Sequence, residues 1–126
     1  MKVDLHTHSV ASPDGSLKEE DYRKMLNSGG LDCIAVTDHN TISFAQELNE
    51  KLGHQIIIGE QITTTEGEII GLYLEKAVKP GMSATETIAA IKAQNGLVYI
   101  PHPFETVRKG MKVEILNRMS LGVDII

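Results

Sequence analysis

The chain has 126 residues, of which 41% are hydrophobic and 23% are charged, and its formal net charge is −5. This length predicts one domain with a core large enough to fold without disulfides. The composition argues against a membrane span, because no stretch approaches the roughly 20 apolar residues that a span needs, and the negative charge disfavours binding to an extended nucleic acid.

The start of the chain and its single cysteine indicate the cellular compartment. The amino terminus enters an apolar run at once, without the apolar region and cleavage site of a secretory signal. Cys33 has no second cysteine with which to form an internal disulfide, and its apolar neighbours favour a buried thiol. These features predict a cytoplasmic protein.

Apolar runs and helical periodicity alternate along the chain. Short runs rich in β-branched residues predict strands at residues 3–5, 33–36, 56–58, 97–100 and 123–126. Apolar stripes at helical spacing predict helices around residues 22–26, 44–52, 88–91 and 115–119. Capping-box patterns beginning at Ser16, Ser43 and Ser83 predict where the first three helices start. The alternation breaks once, where residues 62–65 and 68–74 flank Glu66-Gly67 and predict an inserted hairpin or a strand with a bulge.

Alternating strands and helices predict a parallel sheet covered by helices, either an open doubly wound sheet or part of a (β/α) barrel. The sequence ends inside the apolar run 123–126, which leaves a strand edge uncovered and favours the barrel. We therefore expect residues 1–126 to form the amino-terminal portion of a longer (β/α) barrel. Association of two copies through the exposed carboxyl-terminal strand edge would cover the same surface.

Side chains able to bind metals follow the predicted strands. In an extended strand residues i and i+2 face the same side about 7 Å apart, so His6 and His8 can converge on one ion. Parallel strands bring their carboxyl ends to one face of the fold, where such folds place their chemistry. His54 is the one histidine of five that lies elsewhere, in a polar connection. The candidate ligands are His6, His8, Asp14, His39, Glu60, Glu68 and His102.

Several of these residues also have a purely structural interpretation. Asp38-His39-Asn40 is equally typical of a turn that leads into a helix, and Asp14-Gly15 is a good turn sequence. Glu60 and Glu68 are each consistent with ordinary surface polarity of a strand end and a hairpin. His102 is more restricted, because the prolines on both sides leave its backbone little freedom and suit a ligand that must be aimed.

Six short motifs in this order carry a resemblance to a known family. They are Asp4-Leu5-His6-Thr7-His8-Ser9, Ser12-Pro13-Asp14-Gly15, Ala35-Val36-Thr37-Asp38-His39-Asn40, Gly59-Glu60, Gly67-Glu68-Ile69-Ile70-Gly71-Leu72 and Pro101-His102-Pro103-Phe104. Together they resemble the PHP family, named for polymerase and histidinol phosphatase domains. The resemblance implies a distorted (β/α)₇ barrel that binds up to three divalent ions and commonly hydrolyses phosphoesters.

The resemblance also implies a role for each candidate ligand. One ion would be held by His6, His8 and Glu60, with Glu60 bridging to a second ion, and a third ion would be held by Asp14 and His39. The second ion would also use His102 and Glu68, where related enzymes often have a histidine, and a carboxylate there favours Mn²⁺, Fe²⁺ or Mg²⁺ relative to Zn²⁺. No histidine follows His102, so the late Asp-x-His pair of the family is missing and the ligand set is incomplete.

These residues predict a metal-dependent phosphoesterase that hydrolyses a small phosphorylated substrate with a metal-activated water, without a serine or cysteine nucleophile. Arg108 is the candidate contact to the phosphate. The incomplete ligand set leaves a second interpretation open, a non-catalytic metal-binding or scaffold module. A metal-dependent amidohydrolase also begins with His-x-His, but its other ligands do not fit the Thr-Asp-His and Pro-His-Pro motifs.

Overall fold

The computed structural model describes residues 2–101 and residue 124. The strands are β1 (Val3–Thr7), β2 (Cys33–Val36), β3 (Ile56–Thr64), β4 (Gly67–Leu72) and β5 (Leu97–Tyr99). The α-helices are α1 (Glu19–Asn27), α2 (Ser43–Leu52) and α3 (Ala84–Ala93), and a short 3₁₀ helix spans Gly53–Gln55. The helix predicted around residues 115–119 lies outside the described residues, as does the strand predicted at 123–126 except for Asp124.

The five strands form one sheet in the order β1-β2-β3-β4-β5. β1, β2 and β3 are parallel, whereas β4 is antiparallel to both of its neighbours. This mixed sheet with its helices is a five-stranded half-barrel, which confirms the prediction of a partial (β/α) barrel. Among residues 2–101 and 124 no helix is long and apolar enough to cross a membrane.

The predicted hairpin is an extension of the third strand. β3 runs without a break from Ile56 through Thr64, and the chain turns at residues 65–66 into β4. β2 ends at Val36, so the distal half of β3 pairs with the loop beyond it, where the Gln61 amide donates to the Asp38 carbonyl. The sequence-based boundary at residue 58 is therefore too early, and Glu60 lies within a strand.

Three apolar clusters pack against the sheet, and between them they cover both of its faces. On one face, buried residues that include Tyr22, Ile34 and Leu48 join α1 and α2 to the parallel strands. On the other face, Ala35 and Ile57 pack with residues of β4 and with partly buried residues of β1 and β5. Adjacent residues such as Ile34 and Ala35 belong to opposite clusters, as strand geometry requires. We refer to these faces as the helix side and the inner side.

Two of the three predicted helix starts differ from the structure. Ser83 caps α3 as expected, since its hydroxyl accepts from the Glu86 amide. α1 starts only at Glu19, because the Leu17 carbonyl accepts from the Val10 amide and holds that segment extended. α2 starts at Ser43 itself, whose hydroxyl lies 3.1 Å from that of Thr41.

Candidate metal centre

An irregularity in β1 decides which way the first two histidines face. Asp4 pairs with Ile34 and Thr7 pairs with Val36. Between these two pairs β1 contains two residues and β2 contains one, which is a β-bulge in β1. Thr7 faces the helix side, where its hydroxyl lies 2.9 Å from that of Tyr22. Because the bulge shifts the alternation by one residue, His6 and His8 face the inner side at the end of the strand.

Three imidazoles meet at the carboxyl ends of β1 and β2. The Nε2 atoms of His6 and His8 are 3.1 Å apart, and His6 Nε2 is also 2.9 Å from Gln61 Oε1. The rings of His8 and His39 are stacked, with centroids 4.5 Å apart and planes inclined by 10°. Burial, followed by the neighbouring His39, lowers the pKa of His8. His8 is therefore neutral at pH 7, the form that binds a metal ion.

Two carboxylates flank His39 on opposite sides of its ring. Its Nε2 atom is 3.1 Å from Asp14 Oδ2, and its Nδ1 atom is 3.3 Å from Glu68 Oε2, an ion-pair distance without hydrogen-bond geometry. Burial opposes ionisation of Asp14, but the hydrogen bond and charge of His39 outweigh it and hold the pKa of Asp14 below its ordinary value. Asp14 is therefore a carboxylate at neutral pH.

His8, Asp14 and His39 form a group that fits a metal ion. Each offers one ligand atom, and all these atoms lie within 4.8 Å of one another. Two ligands at about 2.1 Å from one ion are separated by about 3 to 4 Å, so small side-chain movements would close the group around a divalent cation. Two imidazole nitrogens and one carboxylate oxygen suit Zn²⁺, Mn²⁺ or Fe²⁺.

Glu60 departs from the sequence-based expectation, because it faces away from this group. Gln61 contacts His6 on the inner side, so its neighbour Glu60 faces the helix side. Glu60 is fully buried there, and its Oε1 atom accepts from the Val78 amide at 2.8 Å. Its Oε2 atom is buried without a hydrogen-bond partner among the described residues. Burial, opposed by the bond from Val78, raises the pKa of Glu60 to about 7.

The position of Glu60 does not support its expected role as a bridging ligand, and Gln61 occupies the inner side in its place. Gln61 was not identified from the sequence. The signal that could have found it is the alternation of the unbroken strand Ile56–Thr64, in which Ile57 and Gln61 share a face. The sequence-based prediction ended the strand at residue 58 and began a separate hairpin at residue 62, so residues 59–61 were not assigned to a strand.

Glu68 lies next to His39, and its expected grouping with His102 stays a prediction. His102 and Arg108 lie outside the described residues. His54 is exposed in the 3₁₀ helix that precedes β3, away from the carboxyl ends of the strands, in agreement with its interpretation as a surface residue. We call the residues gathered at the strand ends the rim cluster, and it comprises His6, His8, Asp14, His39, Gln61 and Glu68.

The sequence matches known proteins over nearly its whole length. A sequence profile described as the PHP domain matches residues 4–112. The uncharacterized protein MJ1587 of Methanocaldococcus jannaschii is 37% identical over 138 aligned residues, which cover 99% of this chain and 81% of that protein. The uncharacterized protein MJ0417 of the same organism is 34% identical over 114 residues, which cover 86% of this chain and 42% of that protein.

Two solved structures share the fold. A crystal structure from Bifidobacterium adolescentis, provisionally assigned as a metal-dependent phosphoesterase, has a TM-score of 0.72 and 16% identity and covers 99% of this chain and 76% of that one. An amidohydrolase from Chromobacterium violaceum, with bound sulfate and no metal, has a TM-score of 0.51 and 22% identity over 74% of this chain and 33% of that one. Identities this low show the fold alone. The profile match and the 37% identical relative show that this chain belongs to the PHP domain family.

Proposed function

We propose that this chain acts as a metal-dependent phosphoesterase on a small phosphorylated substrate. The observation that carries the proposal is the grouping of His8, Asp14 and His39, whose ligand atoms lie within 4.8 Å of one another. A bound divalent ion would lower the pKa of a water toward about 7 and offset the charge of a phosphate ester. Membership of the PHP family supports this reaction class.

The charges of the rim cluster indicate why a cation is needed. Asp14 and the buried Glu68 both flank His39, and they place two carboxylates where a phosphate dianion would approach. Like charges at such distances repel by an amount on the order of several kcal/mol when partly desolvated. An ion held by His8, Asp14 and His39 would reverse the local field, and the neutral His8 ring can bind it without losing a proton.

Further ions belong to the same proposal. His6 and Gln61 lie beside His8 and could contribute to the position of another ion. Glu68 and His102 stay the proposed ligands of a further ion. The nitrogen and carboxylate donors suit Mn²⁺, Fe²⁺ or Zn²⁺ better than Mg²⁺, which prefers oxygen ligands. Arg108 is the proposed contact to the substrate phosphate.

The reaction class is tested by measuring Mn²⁺-dependent hydrolysis of p-nitrophenyl phosphate, bis(p-nitrophenyl) phosphate and a p-nitroanilide. We expect hydrolysis of a phosphate ester, a loss of at least about 100-fold in His8→Ala, and little change in the control His54→Ala. Equal rates for the native protein and His8→Ala would refute the proposed role. Hydrolysis of the anilide alone would favour an amidohydrolase.

Gln61 favours a second candidate, a metal-binding module without catalysis. A neutral amide lies 2.9 Å from His6, where a carboxylate would add charge and hold an ion more tightly. In that case Mn²⁺ would raise the melting temperature by mass action, and no phosphate ester would be hydrolysed faster than without protein. Comparing the melting shift and the hydrolysis rate in the same preparation separates the two candidates.

A further inference from the structure

The loop that carries Asp14 is closed upon itself. In this segment, residues 9–15 between β1 and α1, the Ser12 amide donates to the Ser9 carbonyl at 3.0 Å and the Gly15 amide donates to the Ser12 carbonyl at 3.1 Å. A β-carbon on Gly15 would lie 2.1 Å from the Ser9 carbonyl oxygen. The backbone at residue 15 therefore lies so close to the backbone at residue 9 that only glycine, which has no β-carbon, fits there. The 9–15 loop therefore has a defined backbone and not merely a sequence typical of turns.

Asp38 fastens this loop to the end of β2. It is 1% exposed, and its Oδ1 atom accepts from the Ser9 amide at 2.7 Å and from the Ser12 hydroxyl at 2.8 Å. Its Oδ2 atom accepts from the Ser9 hydroxyl at 2.6 Å. A buried carboxylate is costly unless donors satisfy it, so these three bonds hold the loop and Asp38 to each other.

Ser12 extends the same network to the backbone of His39. Its hydroxyl oxygen donates to Asp38 and accepts from the His39 amide at 3.0 Å. Ser12 is 4% exposed and lies two residues before Asp14, whose side chain is 62% exposed. An exposed carboxylate keeps much of its rotamer freedom, so its distance from His39 depends on how firmly its backbone is held.

We infer that Asp38 and Ser12 are positioning residues that hold Asp14 within reach of the ion shared with His8 and His39. This role rests on the proposed function, because it concerns the same ion. Neither residue belongs to the group of ligand atoms formed by His8, Asp14 and His39, and each would act by fixing the backbone that carries Asp14. Ser12 Oγ also lies 3.5 Å from His8 Nδ1, a contact that does not depend on Asp14 and that the experiment must separate from the hold on Asp14. Groups that orient metal ligands in this way typically change metal affinity by about 10- to 100-fold when they are removed.

A double-mutant cycle on the full chain tests this inference. Mn²⁺ binding is measured from the free-ion signal in electron paramagnetic resonance for the native protein, Ser12→Ala, Asp14→Ala and the double variant. We expect Ser12→Ala to weaken binding by about 10-fold and to have no further effect once Asp14 is alanine. Equal losses in both backgrounds would overturn the inference, since Ser12 would then act independently of Asp14.

Two further variants separate positioning from general destabilisation. Ser28→Ala removes an exposed hydroxyl that donates to the Met25 carbonyl and accepts from the Gly30 amide, both within three residues of it, and it should leave Mn²⁺ binding unchanged. Asp38→Asn keeps the shape of Asp38 but replaces one acceptor oxygen with a donor, and it should weaken binding at least as much as Ser12→Ala. Normal binding by a folded Asp38→Asn protein would overturn the inference.

A measurement without metal distinguishes failure of this inference from failure of the proposed function. In the metal-free protein, Ser12→Ala should move the ring ¹⁵N signals of His39 in the same direction as Asp14→Ala does, because both loosen the Asp14–His39 contact. If the signals move but the native protein binds no Mn²⁺, the proposed function is contradicted and the positioning is not. Unchanged His39 signals in Ser12→Ala would contradict the positioning.

Discussion

The buried carboxyl of Glu60 should make the stability of this protein depend on pH near neutrality. Glu60 is fully buried on the helix side, and burial raises its pKa from 4.5 to about 7. The folded protein therefore binds this proton more tightly than the unfolded chain does. The stabilisation that follows is complete below pH 4.5 and is lost as the pH rises through 7.

The size of the effect follows from the two pKa values. One pKa unit corresponds to about 1.4 kcal/mol, so the total change is about 3 kcal/mol, of which about 2.5 kcal/mol falls between pH 5 and pH 8. Glu60→Gln removes the ionisation while its side-chain oxygen can still accept from the Val78 amide. The variant should therefore lose this part of the pH dependence, although its unpaired amide costs some stability at pH 5.

The assay is urea unfolding of both proteins at pH 5, 6, 7 and 8 in the presence of a chelator, with Glu50→Gln on the exposed face of α2 as the matched control. The free energy of unfolding of the native protein should fall relative to Glu60→Gln by about 2.5 kcal/mol across this range. Parallel curves for the native protein and Glu60→Gln would refute the reasoning. A similar change of slope in Glu50→Gln would show that Glu60 is not its source.

Three further substitutions test particular contacts. Tyr22→Phe, which removes the buried hydroxyl beside Thr7, should lower the free energy of unfolding by about 1 kcal/mol in urea, and unchanged stability would contradict the value of this bond. Gly15→Ala places a β-carbon against backbone and should destabilise by about 1 to 3 kcal/mol and weaken Mn²⁺ binding; native values would show that the loop can shift freely. Gln61→Glu adds a carboxylate beside His6 and should tighten Mn²⁺ binding by about tenfold or more, whereas unchanged binding would show that this position lies outside the ion's reach.

The residues at the ends of β1 and β2 could be predicted from the sequence because the relation is topological. Parallel strands bring their carboxyl ends together whatever the details of packing, and His8 and His39 accordingly meet there. Asp14 lies beside His39, although its turn sequence alone did not predict which way its side chain points. The capping pattern at Ser83 was confirmed because it depends only on residues three apart.

The orientation of single side chains could not be predicted, because it depends on one-residue shifts. The bulge in β1 turns His6 and His8 to the inner side. In the unbroken strand β3, Gln61 faces the inner side and Glu60 faces the helix side. A one-residue difference in either strand reverses the face on which a side chain lies. The network around Asp38 was also missed, since its partners Ser9 and Ser12 lie 29 and 26 residues away along the chain.

The convergence of His8, Asp14 and His39 on a single ion is tested most directly by anomalous scattering from crystals grown with Mn²⁺. We predict a peak at about 2.0 to 2.3 Å from one atom of each of these three side chains. The proposed metal centre would be contradicted if the peak were absent at saturating Mn²⁺, or if the ion lay away from Asp14 and His39.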